Sequence, residues 1–298
     1  MLKRLFASRK KPYVPGLNQR EKVEIDISGS RLTMLLPPHS DSEGFRRKPP
    51  PKKIDLHDPD NFYTDEESPE WQRSGNARYK GGVANRHWEF YGPSWRSRPY
   101  GYIAFGIGIT REDAMPEEMS CFNPSHFEQL IAHSLYFGAG GPTSPDLPRT
   151  KGPFNTRLCQ MSGATGFYFE RHRDFAHRTQ EPEAFEQASH SCTLLLPLEH
   201  RYSLGVAFRY FGYGPAKDSL ANMNKLRDLV LNSVQLELGS TAKNQLAEAQ
   251  LKWPGSRASE SRKPINWKYP KWRNGKYHKG ESNIVIIESG SPPPQFSP

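Results

Sequence analysis

The sequence predicts an α+β fold, in which amphipathic helices pack on an antiparallel sheet and basic, proline-rich arms remain disordered. Three observations predict it. Several segments alternate apolar and polar residues in pairs around turn residues, which is typical of hairpins. Residues 214–238, GPAKDSLANMNKLRDLVLNSVQLEL, place apolar side chains every three or four positions, as a helix with one buried face does. The 27 prolines and the mean hydropathy of -0.79 indicate that part of the chain lies outside a core.

The first elements are an arm and a hairpin. Residues 1–20 are basic and interrupted by proline, which predicts a flexible basic arm. Residues 23–27 alternate apolar and polar side chains, Gly29 and Ser30 are placed to turn, and residues 31–36 resume a strand before two prolines. We therefore expect the α+β domain to begin at residue 21.

Residues 41–99 predict a long irregular insertion. Residues 45–53, FRRKPPPKK, are typical of a basic polyproline-like linker, and residues 55–71 are acidic and rich in turn residues. Neither stretch buries enough apolar surface to offset the entropy lost on ordering. Within the interval, residues 87–93 favour a short strand.

The remaining core elements follow in order. Residues 100–112 predict a strand with one aliphatic face, and residues 123–141 predict a helix that begins near Pro124 and ends at glycines. Residues 157–173 predict two strands around a Ser-Gly turn, and residues 191–214 predict two more.

The helix within residues 214–238 needs a sheet to cover its stripe of Leu220, Met223, Leu226, Val230 and Val234. We expect Asp218 or Ser219 to cap its start and Gly239 to close its end. A further helix is predicted at residues 241–253.

These elements place the α+β domain at residues 21–251. Residues 252–298 form a basic aromatic tail, with an edge strand predicted at 282–289.

Charge and cysteine content restrict the partners and the cellular compartment that we expect. The net charge is +9, which favours attraction to nucleic acid, anionic lipid or an acidic protein. The three cysteines form no close pair, as expected of a reducing compartment. The N-terminal residues lack the apolar stretch of a secretory signal, and no run approaches the length of a membrane span. We expect a cytoplasmic location.

A strand ending in Leu-Pro (32–38), later strands from 191, and a helix ending LVLNSVQLEL (229–238) resemble the PsbP-like α/β fold. The resemblance covers residues 31–38 and 191–238. It implies an antiparallel sheet with helices packed on it. It also implies a role like that of bacterial adaptor proteins, among them chaperones that hold type VI secretion effectors, or of immunity proteins against secreted toxins.

The segment ERHRDFAHR (170–178) is the best catalytic candidate. His172 and Asp174 have the spacing of two ligands of a non-haem iron site, with His200 or His278 as a third. The alternative is an exposed polar strand end, which we favour. We therefore assign no catalytic residue, no metal and no cofactor.

The tail carries the best binding candidate. Cations that neutralise phosphates alternate there with rings that stack on unpaired bases or lie at a lipid interface. The alternative is a tail that packs its rings on its own domain. The candidate binding residues are Trp267, Lys268, Tyr269, Lys271, Trp272, Arg273, Lys276 and Tyr277.

Three function classes follow. The first, which we favour, is a non-enzymatic module that binds another protein, as an adaptor, chaperone or immunity protein. The second is binding to nucleic acid or an anionic surface through the tail. The third is a metal-dependent enzyme that uses the His172/Asp174 strand.

Overall fold

The computed structural model describes residues 2–40, 49–63, 77–79, 83–137, 149–174, 188–259, 263–267, 271–276, 284–288 and 294–298. Within these residues the chain forms helices and strands in an α+β arrangement. The helices are α1 (Leu2–Leu5), α2 (Pro124–Phe137), α3 (Ala216–Leu231) and α4 (Ser240–Lys252). The strands are β1 (Glu21–Ile27), β2 (Ser30–Leu36), β3 (Lys53–Ile54), β4 (Phe62–Tyr63), β5 (Ala77–Tyr79), β6 (Ala84–Tyr91), β7 (Pro99–Arg111), β8 (Arg149–Met161), β9 (Ala164–Asp174), β10 (Ala188–Glu199), β11 (Tyr202–Phe211), β12 (Gln235–Glu237), β13 (Ile265–Trp267), β14 (Lys271–Asn274) and β15 (Ile284–Glu288).

A large antiparallel sheet forms the centre of the molecule. Its strand order is β13-β8-β9-β10-β11-β7-β5-β4, and β6 also pairs with β7. The predicted hairpins β8–β9 and β10–β11 are confirmed. Ser162 and Gly163 turn the first with φ of 48° and 81°, the left-handed pair that two-residue hairpins favour.

A smaller sheet with the order β12-β2-β1-β3 carries the predicted hairpin of β1 and β2. Ser28 and Gly29 make its turn with φ of 47° and 85°, so the turn lies one residue earlier than predicted and Ser30 already pairs with Ile27. β3 joins this sheet parallel to β1.

Two apolar cores lie on opposite faces of the large sheet. One face of β7 buries Ile103, Phe105, Ile107 and Ile109, as predicted, in the core that also contains the β1–β2 hairpin, α3 and α4. The opposite face carries Phe167 and Phe169 of β9, which pack against α2. The predicted α2 stripe is confirmed, since its side chains are all buried there: Phe127, Leu130, Ile131 and Leu135.

The predicted insertion contains more regular structure than expected. The short strand expected at 87–93 begins earlier and forms the eight-residue β6. Trp88 at its middle is fully buried, and its Nε1 donates to the carbonyl of Pro37 at 3.2 Å. The backbone of β6 also bonds Ser40. Residues 53–54 and 62–63 add β3 and β4. Apolar residues scattered through a polar segment were enough to anchor it.

The N-terminal arm also differs from the expectation of a loose segment. Tyr13 pairs with Tyr91 at the end of β6, with backbone bonds of 2.9 and 2.8 Å. Ala7 and Val14 are buried. Ala7 and Val14, which stand as isolated apolar residues in a basic segment, therefore attach this segment to the domain.

Helix α3 covers the large sheet with Met223, Leu226 and Val230, as its stripe predicts. Its caps differ from the prediction. Pro215 stands at the N-cap without a side-chain bond, and Asn232 ends the helix. Ser219 Oγ instead accepts from the backbone of Tyr213.

Gly239 precedes α4, the further predicted helix, which is confirmed. The predicted edge strand near 284 is also confirmed, as β15 paired with β14. Among the described helices, none has the length and apolar character needed to cross a membrane.

Candidate functional site

A row of polar side chains lies on the sheet face below α3. Alternate positions of β9 place Tyr168, Glu170 and His172 on this face. β10 runs beside it, with Cys192 opposite Glu170 and His190 opposite His172. Polar groups from two strands are therefore adjacent beneath the buried face of α3.

The carboxylate of Glu170 is 5% exposed and lies at the centre of this row. Its Oε1 accepts from Arg227 Nη1 at 3.0 Å and from the Tyr168 hydroxyl at 2.6 Å. Its Oε2 accepts from Asn155 Nδ2 at 2.8 Å. His190 Nε2 lies 3.2 Å from the same Oε2, close enough for an ion pair, although the ring N–H is not directed at the oxygen. We call this set of residues the Glu170 cluster.

Charge is stabilised inside the cluster. Burial alone would raise the pKa of Glu170, but contacts with His190, Tyr168 and Asn155 outweigh it and lower that pKa to about 2. Burial alone would lower the pKa of His190, but Cys192 and Glu170 raise it to about 9. Burial also opposes the charge of Arg227, yet its bond to Asp228 and the surrounding polar groups raise its pKa. At neutral pH the cluster holds a carboxylate between two cations.

The cluster also contains a set of metal-ligating atoms. One such atom from each of Glu170, His172 and His190 lies within 4.8 Å of the other two. Among the described side chains, the carboxylate beside His172 is therefore that of Glu170, two positions before it. The side chain of Asp174, the partner in the predicted iron-type pair, lies outside the described ones. Asp174 ends β9 opposite Ala188.

The histidine suggested as a third ligand lies elsewhere. His200 follows β10 at the turn into β11, ten positions from His190 and so about 30 Å along the strand. It is bonded there to Ser120 Oγ at 2.7 Å. His278, the other suggestion, lies outside the described residues.

The structure distributes the candidate binding residues of the tail over two sheets. Trp267 ends β13 on the edge of the large sheet, opposite Thr150. Lys271, Trp272 and Arg273 belong to β14 in a separate two-stranded sheet. Arg273 and Lys276 are exposed. The other three lie outside the described residues: Lys268, Tyr269 and Tyr277.

A second cationic and aromatic surface is formed where the N-terminal segment meets the loop after β6. Arg4 donates from Nε to the carbonyl of Gly92 at 3.2 Å and from Nη2 to the carbonyl of Arg96 at 2.6 Å. Its guanidinium lies 4.4 Å from the ring centre of Tyr91, and that of Arg96 lies 4.8 Å from the ring centre of Tyr100. These contacts join the two segments and order their backbones.

Two large apolar side chains project from this surface. Phe6 is 84% exposed and Trp95 is 78% exposed. The cations around them are also exposed: Arg9, Lys10, Lys11, Arg96 and Arg98. Residues 1–20 and 92–100 contain no acidic residue. We define residues 4–11 and 94–98 as the N-terminal cationic face.

The sequence predicted His172 as a candidate ligand but not the other members of the Glu170 cluster, and it did not predict the N-terminal cationic face, although each left a signal. Arg227 stands between Leu226 and Val230 in the apolar stripe of α3, and an arginine in that position requires a buried acidic partner. Glu170 and Cys192 share a face with the histidines by strict alternation along two strands. For the cationic face the signal was the sequence WRSR at 95–98, read as part of an irregular insertion.

Comparison with known proteins adds no assignment. No protein-family model matches the chain. No curated protein matches it significantly.

Proposed function

We propose that this chain is a non-enzymatic protein-binding module, and that its N-terminal cationic face binds an acidic segment of a partner protein. One observation carries the proposal: Phe6 and Trp95 project almost fully exposed from a surface whose charged side chains are all cationic.

Exposed aromatic rings next to arginine are typical of the residues that dominate binding energy at protein interfaces. A tryptophan or phenylalanine left in water forgoes about 1.5–3 kcal/mol of burial energy. Covering Trp95 and Phe6 with a partner recovers this energy.

The surface is also pre-organised for binding. The bonds from Arg4 to Gly92 and Arg96 hold the loop that carries Trp95. The carbonyl of Arg9 accepts from the Tyr213 hydroxyl at 3.1 Å, which fixes the segment that carries Phe6. Ordering these backbones before binding reduces the entropy lost on association.

The positive charge of this face favours an acidic partner. Within the described residues, none of the ion pairs involves Lys10, Lys11 or Arg98, so these cations remain available to acidic side chains. Complementary charge raises the association rate and disfavours basic partners.

The hydrogen bonds of the Glu170 cluster are consistent with a binding module but do not by themselves select one. Both oxygens of its carboxylate are already engaged by neighbouring donors, which is typical of a structural network. The PsbP-like resemblance of residues 31–38 and 191–238 favours a specific form of this function. In that form the chain is an adaptor, chaperone or immunity protein of a bacterial secretion system.

The test replaces Trp95 with a photo-cross-linking amino acid in the full-length chain, expressed in its own cell. Irradiation followed by peptide mapping identifies the segment in contact. We expect a protein segment with an excess of Asp and Glu. Lys10→Glu with Lys11→Glu should abolish the cross-link. The matched control is Lys225→Glu with Lys243→Glu, two exposed helix positions with the same change in net charge, and it should retain the cross-link.

Three results would overturn the proposal. Cross-linking that is lost after nuclease treatment would identify a nucleic acid. Binding to vesicles containing anionic lipid, with no protein cross-link, would identify a membrane surface. Equal loss in both charge-reversed pairs would show nonspecific attraction.

Binding of nucleic acid or an anionic surface through the tail is the second candidate, because Arg273 and Lys276 are exposed beside β14. Anisotropy of a labelled single-stranded oligonucleotide measures it. We expect affinity that falls steeply with salt and weakens in Arg273→Glu with Lys276→Glu. Affinity unchanged by these substitutions excludes this part of the tail as the contact.

A further inference from the structure

We propose that Glu170, His172 and His190 form a binding site for one divalent cation of the zinc type. The site lies beside the Glu170 carboxylate, where β9 and β10 pair. It is separate from the N-terminal cationic face and does not depend on the function proposed for that face.

The donor set suits such an ion. Two imidazole nitrogens and one carboxylate oxygen are a common ligand combination for Zn²⁺ and its first-row neighbours. A fourth position remains for water, since three protein ligands leave a tetrahedral ion open on one side.

The distances require only a local adjustment. Two ligands about 2.1 Å from a tetrahedral ion are separated by roughly 3.4 Å. His190 Nε2 and Glu170 Oε2 are already 3.2 Å apart. The widest separation among the three donor atoms is within 4.8 Å, so His172 must move its ring inward. Its ring lies between those of Phe154 and His190, with ring centres 4.4 and 4.3 Å away, so the movement is a rotation of the imidazole within this stack.

Neighbouring groups hold the carboxylate in place. Arg227 and Tyr168 occupy Oε1, the oxygen away from the proposed ion, and Asn155 donates to Oε2. Such outer contacts orient metal-binding carboxylates. The guanidinium also repels a dication, so Arg227 reduces the affinity of the site while fixing its geometry.

Both histidines are partly exposed as residues, but their Nε2 atoms are buried, so entry of an ion requires the His172 ring to rotate. Cys192 and Tyr210, both fully buried, close the inner side.

The test uses the full chain after treatment with a chelator and dialysis. Titration with Zn²⁺ alone in a calorimeter gives stoichiometry and affinity, and the visible absorption of bound Co²⁺ reports its coordination number. We expect one ion per chain and a Co²⁺ spectrum of low coordination number. His172→Ala should weaken Zn²⁺ binding at least about tenfold. The control is His57→Ala, an exposed histidine that is ion-paired with Glu199, and it should bind as the wild type does.

His172 is chosen because its half-buried ring can be removed with little risk to folding, and circular dichroism checks this. His190→Ala gives a second measurement if it folds. The absence of stoichiometric binding would overturn the proposal. A Co²⁺ spectrum of the hydrated ion, or equal affinities in wild type and His172→Ala, would overturn it as well.

Discussion

Replacing Arg227 with methionine tests whether the buried carboxylate of Glu170 depends on the guanidinium above it. The two residues are 4% and 5% exposed, and their charged atoms are 3.0 Å apart. Methionine retains most of the aliphatic packing of α3 and removes the charge and its hydrogen bonds. Breaking one partner of a buried pair costs about 3–5 kcal/mol, because the other charge stays buried.

We expect the lower end of this range, about 3 kcal/mol, since Tyr168, Asn155 and His190 still contact the carboxylate. With a urea m-value of about 3 kcal/mol/M, the midpoint of unfolding falls by roughly 1 M. Tryptophan fluorescence and circular dichroism in the presence of EDTA give the midpoint and test whether m is unchanged.

A double-mutant cycle separates the ion pair from other effects. Glu170→Gln leaves Arg227 with Asp228, 2.9 Å away, as a remaining partner. The double variant should therefore be less destabilised than the sum of the two single variants, by about 2 kcal/mol. The control is Arg31→Met, whose ion pairs span 3.8 and 3.9 Å on the surface, and it should cost less than about 0.5 kcal/mol. A loss below about 1 kcal/mol for Arg227→Met, or strict additivity in the cycle, refutes the reasoning.

Three shorter predictions concern packing, pH and a turn. Trp88→Ala should lower the free energy of unfolding by about 3–5 kcal/mol, because the ring is fully buried. The control Trp95→Ala should change it by less than about 0.5 kcal/mol, because that ring is exposed. Urea unfolding compares the two variants, and similar losses would contradict the difference in burial. Burial lowers the pKa of His133 to about 4, against about 6.5 unfolded, so the unfolded state binds more protons between these values. Stability should therefore fall as pH drops from about 6.5 to 4, by up to about 3 kcal/mol more than in His133→Gln, and parallel pH curves would contradict this. Gly163→Ala should lower the free energy of unfolding by about 1 kcal/mol, because alanine is strained at the φ of 81°. Gly108→Ala should leave it unchanged, because no heavy atom lies within 4 Å of the added Cβ. Thermal unfolding compares the two variants, and equal midpoints would refute the argument about the turn.

Local periodicity explains which elements were predictable. The strand of residues 100–112 and the α2 stripe each repeat their pattern within one segment, so neighbours in sequence reveal the buried face. Helix caps were less predictable. Ser219 and Gly239 are good capping residues by type, but Ser219 bonds Tyr213 and Gly239 begins α4. Local preference yields to the contacts that the whole chain provides.

Strand β6 is an element that local periodicity predicted only in part. Its sequence follows a polar and acidic stretch, and it was predicted only as a short strand in an irregular insertion. Pairing with β7 and packing of Trp88 under the carbonyl of Pro37 order it. Trp88 and Pro37 are 51 positions apart in the chain. A periodic pattern within one segment does not predict a contact across that separation.

Amino-acid order alone was sufficient for the α+β class, the hairpins around residues 28 and 162, and the buried stripe of α3, since each depends on spacing within a few residues. The meeting of Glu170 with His190 and Arg227, and of Arg4 with the loop of Trp95, required the folded chain. The first contact depends on the register of β9 and β10, and both depend on segments far apart in the chain that packing brings together.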